Sequence, residues 1–154
     1  MRTSLLILAV LVSISAHAGG KAELELARAR WVVLSLDSYS FTYLGADDNI
    51  VAYRCIPYAV RNVVRKGKPR RSIVLDGSAK CRKGRSVPAY WHLPRTVEDL
   101  FAEIERLQAF SPDDVQLQVR YDADTGVPIY VRAYKPRITD SDQGFDIKDI
   151  KLGR

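Results

Sequence analysis

The chain has 154 residues, of which 47% are hydrophobic and 27% are charged, and its formal net charge is +6. This length suffices for one domain with a buried core, and no repeat, low-complexity tract or Ser/Gly-rich linker divides it. The composition therefore excludes a disordered or repetitive protein and favours one globular domain.

The N-terminal segment has the three-part layout of a secretory signal. Arg2 precedes an apolar run from Leu5 to Ile14, and a small-residue Ala-His-Ala triplet follows. This run is too short to cross a bilayer, which takes roughly twenty residues, and Gly19 is not the cysteine that lipid attachment requires. We predict that residues 1–18 are cleaved and that residues 19–154 form one exported domain, periplasmic or extracellular. The alternative is an uncleaved N-terminal anchor.

The first helix and strand follow directly. Between residues 21 and 35, Leu24, Ala27, Trp31 and Leu34 recur at spacings of three and four, which predicts an amphipathic helix. A strand follows, in which aromatic residues alternate with Ser40 and Thr42. We expect those aromatic residues to face the core under the helix; the alternative is a ligand platform. They are Tyr39, Phe41 and Tyr43.

A second group of strands follows the turn signal at residues 47–49. Residues 50–64 are rich in β-branched and aromatic residues, and Pro57 interrupts them, so they form an edge, a bulge or two short strands. Residues 66–69 read as a turn and residues 72–75 as the return strand, closed by Asp-Gly at 76–77. The simplest interpretation is a hairpin.

Two cysteines, Cys55 and Cys81, flank this hairpin. In an oxidising compartment an even pair is usually a disulfide, which here would stabilise the fold by roughly 3 to 4 kcal/mol. The alternative, a reactive or metal-bound thiol, has no Cys-x-x-Cys to support it. We therefore predict a Cys55–Cys81 bridge.

The second helix has both a start signal and an apolar face. Thr96 can cap the first amides while Asp99 takes the reciprocal capping-box position, and Ser111-Pro112 ends the helix. The residues of the apolar face are Val97, Leu100, Phe101, Ile104 and Leu107.

The clearest hairpin comes next. Alternating residues from Val115 to Tyr121 pass through the turn Asp122–Gly126 and resume as Ile129, Val131 and Ala133, and residues 144–147 offer one more short strand. These elements predict an α+β fold of two layers, an antiparallel sheet of about five to six strands with two helices packed on one face. The predicted shared core comprises Trp31, Tyr39, Phe41, Leu100, Ile104, Val119 and Ile129.

Several of these segments together resemble a known family. They are Trp31 with the aromatic strand, the Thr96–Ile104 helix start, the Tyr-Asp-x-x-x-Gly-x-Pro hairpin from Tyr121 and the late Asp-x-x-x-Phe segment ending at Phe145. The chain resembles a family of small exported bacterial proteins with a domain of unknown function. Members tend to carry a close cysteine pair after the aromatic strand, whereas Cys55 here has its partner at Cys81. The resemblance implies no activity.

Catalytic chemistry has little support in the residues. His92 is the one histidine after the predicted cleavage site, and its place before a helix favours packing or capping. The turn Asp122–Gly126 begins like a calcium loop but lacks the bidentate Glu, and the late acidic residues Asp140, Asp142, Asp146 and Asp149 read as solvated. We therefore predict no metal or cofactor. The alternative function is a small periplasmic hydrolase or metal-dependent enzyme that uses Asp122, Asp124 or His92.

Positive charge is concentrated in one region. Residues 61–85 contain ten basic residues and one acidic residue, Asp76. Such a concentration attracts anions, although an ordinary solvated face is the alternative. The predicted partner is an anionic envelope polymer, a lipid surface or an acidic protein, and nucleic acid is the least expected. The candidate anion-binding residues, hereafter the basic lobe, are Arg65, Lys68, Arg70, Arg71, Arg82, Lys83 and Arg85.

Overall fold

The computed structural model describes residues 20–45, 57–78, 81–87, 93–110, 115–135 and 143–153. They form α1 (Lys21–Val33), β1 (Tyr39–Gly45), β2 (Pro57–Arg65), β3 (Lys68–Gly77), α2 (Val97–Gln108), β4 (Gln116–Tyr121), β5 (Pro128–Tyr134) and β6 (Gln143–Leu152). All strand pairs are antiparallel, in the order β3-β2-β1-β6-β5-β4. The predicted α+β fold with a six-stranded antiparallel sheet is confirmed. Within the described ranges, no helix is long and apolar enough to span a membrane.

One main core lies between the helices and the sheet. Trp31 of α1 packs edge-on against Tyr39 of β1, with ring centroids 5.0 Å apart, and Phe41, Leu100 and Ile104 are completely buried. Burying a large aliphatic or aromatic side chain contributes roughly 1.5–3 kcal/mol, so this layer is a principal source of stability. The predicted core is confirmed at these five positions.

Helix α1 is shorter than predicted. Leu24, Ala27 and Trp31 are buried as expected, but the helix ends at Val33 and Leu34 is 37% exposed. Ser35 adopts a positive φ of 47°, which ends the helical path directly after Leu34 and turns the chain toward β1. The prediction that Leu34 belongs to the buried stripe is therefore wrong.

Helix α2 matches its prediction. The Thr96 Oγ1 accepts a hydrogen bond from the Asp99 amide at 3.0 Å, and the Asp99 carboxylate accepts one from the Thr96 amide at 2.9 Å. This reciprocal pair satisfies amides that the first turn of a helix cannot pair internally. All five residues of the predicted apolar face are buried.

The β2–β3 hairpin is tighter and longer than predicted. Lys66 and Gly67 both have positive φ, 54° and 66°, as a two-residue hairpin turn requires. β3 therefore starts at Lys68, and Asp76-Gly77 belongs to the strand instead of closing it. Pro57 is the first residue of β2, a position where its missing amide proton costs no interior ladder bond.

The β4–β5 hairpin departs from the prediction at one residue. Tyr121 pairs with Pro128 while Arg120 pairs with Tyr130, so Ile129 is an extra residue at a bulge. Ile129 is partly exposed and lies outside the core, which corrects its predicted place there. Val119 is partly buried and packs against the core.

The last strand has a larger role than its sequence indicated. The segment predicted as a short strand over residues 144–147 extends over ten residues and lies between β1 and β5, in the middle of the sheet. Gly144 allows the close approach to β5, because an added Cβ would lie 2.0 Å from the Val131 carbonyl oxygen. β6 thus joins the two hairpins into one sheet.

Candidate anion-binding edge

The basic lobe lies along the edge strand β3. The segment after β3 folds back along this strand. The Gly84 amide donates a hydrogen bond to the Val74 carbonyl, and the Val74 amide donates one to the Arg85 carbonyl. The Val87 amide donates one to the Ser72 carbonyl. The edge is therefore covered in the middle by residues 84–87, and their pairing holds the two basic stretches side by side. The lobe is ordered by these backbone hydrogen bonds.

All seven side chains of the basic lobe are exposed. Within the described ranges, none of them forms an ion pair or a side-chain hydrogen bond. By contrast, Arg28, Arg106 and Arg132 outside the lobe pair with carboxylates at 2.6–2.9 Å. The positive charge of the lobe is therefore not neutralised by the described acidic residues.

Part of the basic lobe surrounds a single open groove of about 600 Å³ at the turn end of the hairpin. Arg65, Arg70 and Arg71 line it together with Lys66, and Val63 supplies an apolar surface between them. Arg71 and Val63 are opposite each other in the β2–β3 register. Sequence reasoning left Lys66 out of the site, although its place in the turn put it next to Arg65.

The other three predicted residues lie farther along the edge. Arg85 is beside Val74, three residues from Arg71, and Arg82 and Lys83 lie farther toward the end of β3. At about 3.3 Å per residue, the backbone of Arg85 lies roughly 10 Å along β3 from that of Arg71. The predicted cluster is therefore a linear array of two groups, not one pocket.

A shallow depression adjoins the groove on the other side. It shares Val63 and Arg65 with the groove and extends to Ser38, Lys151 and Leu152. Lys151 of β6 reaches this place because it pairs with Ser40 of β1. A residue 86 positions away in sequence from Arg65 thus adds a cation, and only the strand register reveals it.

The calcium-like turn is occupied by its own hydrogen bonds. The Asp122 Oδ1 accepts from the Thr125 amide at 2.8 Å and from the Thr125 hydroxyl at 2.7 Å. The hydrogen bond from the Thr125 side chain holds the pKa of Asp122 below its usual range. Asp124 is exposed in the same turn. Asp122 thus stabilises a turn that docks on α1, where Gly126 lies against the Ala27 carbonyl.

The late acidic residues Asp146 and Asp149 have separate partners. Asp146 pairs with Arg132 at 2.9 Å, whereas Asp149 accepts hydrogen bonds from the Thr42 hydroxyl at 3.0 Å and from Arg61 at 3.3 Å. No group of three or more acidic, cysteine or histidine side chains in the described part of the chain could hold a metal ion. Asp140, Asp142 and His92 lie outside the described residues.

Cys81 is partly buried against a small second cluster of Val60, Val74 and Val87 at the foot of the return segment. Cys55 lies outside the described residues. The Cys55–Cys81 bridge therefore stays a prediction.

One polar junction was missed by sequence reasoning. Glu98 in the first turn of α2 accepts hydrogen bonds from Trp31 Nε1 at 2.9 Å and from the Tyr39 hydroxyl at 3.0 Å. The Tyr39 hydroxyl in turn accepts one from the Val97 amide at 3.1 Å. Burial raises the pKa of Tyr39 well above its ordinary value, so its hydroxyl stays protonated as a donor. The junction ties α1, β1 and α2 together and has a structural role.

Comparison with known proteins returns a family but no function. No curated protein and no solved structure matches the chain. The model of a family of unknown function, DUF6174, matches residues 23–152, which include every described strand and nearly all of both helices. The chain therefore belongs to the family of unknown function DUF6174.

Proposed function

We propose that this chain is an exported, non-catalytic protein that binds an anionic component of the cell envelope through its basic lobe. One observation carries the proposal: seven exposed basic side chains lie along one sheet edge without a described carboxylate partner. Unpaired cations along a rigid edge raise the local concentration of anionic ligands. The partner is an anionic polymer, lipid surface or acidic protein.

The linear arrangement favours an extended ligand over a small anion. The groove with Arg65, Arg70 and Arg71 and the group with Arg82 and Lys83 lie roughly 15 Å apart along β3, at about 3.3 Å per residue. A single phosphate or carboxylate cannot contact both groups. A polymer or surface with repeated negative charges can contact both at once.

The enzyme alternative receives less support from the same geometry. A catalytic carboxylate must reach a substrate, whereas two hydrogen bonds from Thr125 to the Asp122 Oδ1 hold this carboxylate in its own turn. Asp124 is exposed in a turn, and it lines neither the groove nor the adjoining depression. Alanine replacement at Asp122 and Asp124 should leave ligand binding by the lobe unchanged.

Export is the other half of the proposal and has its own test. The family match begins at residue 23, just after the predicted signal, which is consistent with a mature domain that starts at Gly19. Mass spectrometry of the protein expressed with its native N-terminus should find Gly19 as the first residue. Recovery of the chain with Met1 intact would contradict cleavage and export.

Binding is tested by retention on an immobilised sulfated glycan, on an acidic protein matrix and on neutral agarose, over a range of salt concentrations. Retention on the anionic matrices should decrease as salt rises, because exposed charges are screened. The variant Arg70→Glu/Arg71→Glu/Arg82→Glu should lose retention at every salt concentration.

A matched control separates the lobe from net charge. The variant Lys21→Glu/Arg30→Glu/Lys148→Glu changes the charge by the same amount at exposed positions outside the lobe. It should keep most of the wild-type retention. Equal losses in the two variants would mean that net charge, and not the lobe, determines binding, and equal retention of both on every matrix would remove the proposal.

A further inference from the structure

Four strand ends and one helix end meet at the same end of the molecule. α1 ends at Val33 and a short loop leads into β1 at Tyr39, while the Asp37 carbonyl accepts a hydrogen bond from the Gly67 amide in the β2–β3 turn at 2.8 Å. The Ser38 carbonyl accepts another from Gly153, directly after β6, at 2.7 Å. The end of α1 is therefore fixed beside the turn of the basic hairpin.

This end exposes aliphatic side chains. Val33 is 81% exposed and Val32 64%, while Leu34 and Leu152 are 37% and 42% exposed. We call these four residues the apolar tip. Four residues of chain span at most about 14 Å, so Val33 lies within that distance of Asp37 and close to the hairpin turn. Adjacent exposed aliphatic residues of this kind mark interaction sites more often than isolated ones do.

Cations surround the apolar tip. Arg65, Lys66 and Lys68 lie in or beside the hairpin turn, and Lys151 lies next to Leu152. All four are exposed. Of the nearby acidic residues, Asp37 lies in the loop at this end, and Asp149 of β6 pairs with Arg61. This end of the molecule therefore combines exposed apolar side chains with a net positive rim.

We propose that the apolar tip and its cationic rim dock on an anionic lipid surface, the aliphatic side chains entering the headgroup region while the four cations contact lipid phosphates. Stable association with a membrane surface generally needs both an apolar and a basic signal, and this end provides both. A glycan or a polyphosphate would use the cations but would give the aliphatic residues no apolar surroundings. A second copy of the chain docked tip to tip would bring the two cationic rims together.

This inference rests on the proposed function because both take the ligand to be anionic. It adds that the ligand at this end of the molecule is a lipid. The test is co-sedimentation of the mature chain with vesicles of phosphatidylcholine, with and without phosphatidylglycerol. Binding should require phosphatidylglycerol. Replacing Arg65→Gln/Lys68→Gln should lower the partition coefficient on the order of 20-fold, at about fivefold per charge near the surface.

The apolar contribution is tested separately. Val32→Ser/Val33→Ser should lower vesicle partitioning on the order of tenfold while leaving retention on the sulfated glycan unchanged. Leu26→Ser is the matched control, because Leu26 is an exposed aliphatic residue of the same helix away from the tip. Val33→Trp should strengthen partitioning, since tryptophan favours the membrane interface.

Three outcomes would overturn the inference. The first is vesicle binding that Val32→Ser/Val33→Ser leaves unchanged, and the second is the absence of wild-type binding to phosphatidylglycerol vesicles. The third is a dimer in sedimentation velocity that Val32→Ser/Val33→Ser abolishes, which would make a second copy the occupant of the tip. In the first two cases retention on the glycan can persist, so the proposed function would stand. If instead Arg70→Glu/Arg71→Glu/Arg82→Glu leaves glycan retention intact while the tip variant loses vesicle binding, binding of a polymer through Arg70, Arg71 and Arg82 is refuted and the lipid inference stands.

Discussion

Replacing Gly126 by alanine should destabilise the protein through one identifiable contact. Gly126 has a φ of 75°, and an added Cβ would lie 2.1 Å from the Ala27 carbonyl oxygen of α1. Left-handed backbone alone costs an L-residue about 1–2 kcal/mol. The contact adds an overpacking cost of about 1–3 kcal/mol, because the hairpin turn must move away from the helix backbone.

Gly84 provides the matched control. Its φ is 81°, and nothing lies within 4 Å of the position where a Cβ would be added. Gly84→Ala therefore incurs the backbone cost without the contact, about 1–2 kcal/mol. Gly126→Ala should lose about 2–5 kcal/mol in total, measured as the free energy of unfolding from urea titrations at constant m-value. If both variants lose the same stability, the docking of the turn on Ala27 is refuted.

The remaining predictions concern the core, one carboxylate and the cysteines. Phe41→Ala and Ile104→Ala should each lower the free energy of unfolding by about 2–5 kcal/mol in urea titrations, and unchanged stability in both would contradict the shared core. The lowered pKa of Asp122 means that its contribution to stability is present above the unfolded pKa near 4 and is lost as pH falls through the folded pKa. The urea midpoints of Asp122→Asn and wild type should therefore converge as the pH falls below that folded pKa. A constant difference from pH 7 downward would contradict this assignment. Reduction of a Cys55–Cys81 bridge should add two protons in mass spectra and lower Tm by several degrees, and an unchanged mass would show free thiols.

Local patterns predicted the elements whose causes are local. In α2, the hydrogen bonds of the capping box join residues three positions apart, and one apolar face repeats through the helix, so Thr96, Asp99 and the buried face could all be identified. α1 was predicted equally well up to its end. The helix then ends because Ser35 has a positive φ, and the spacing of apolar residues contains no information about that angle.

Nonlocal features could not be predicted from the sequence. The bulge that displaces Ile129 depends on how Arg120 and Tyr121 pair with β5, and the central position of β6 depends on its pairing with β1, about a hundred residues earlier. The basic composition of residues 61–85 was evident in the sequence. The division of these cations into two groups, and the addition of Lys151 beside Arg65, followed only from the register of the sheet.

The central place of β6 also sets the order in which this domain can complete its fold. β1–β3 and β4–β5 have no strand pairing with each other, and both pair with β6, which follows all five of these strands in the sequence. Because synthesis runs from the N-terminus, a nascent chain that ends before Gln143 holds two sheet fragments, each with an unpaired edge, at β1 and at β5. Such edges recruit other chains, so aggregation competes with folding during that interval. Closure of the sheet waits for β6, and the contacts it forms with β1 have the long sequence separation that slows folding.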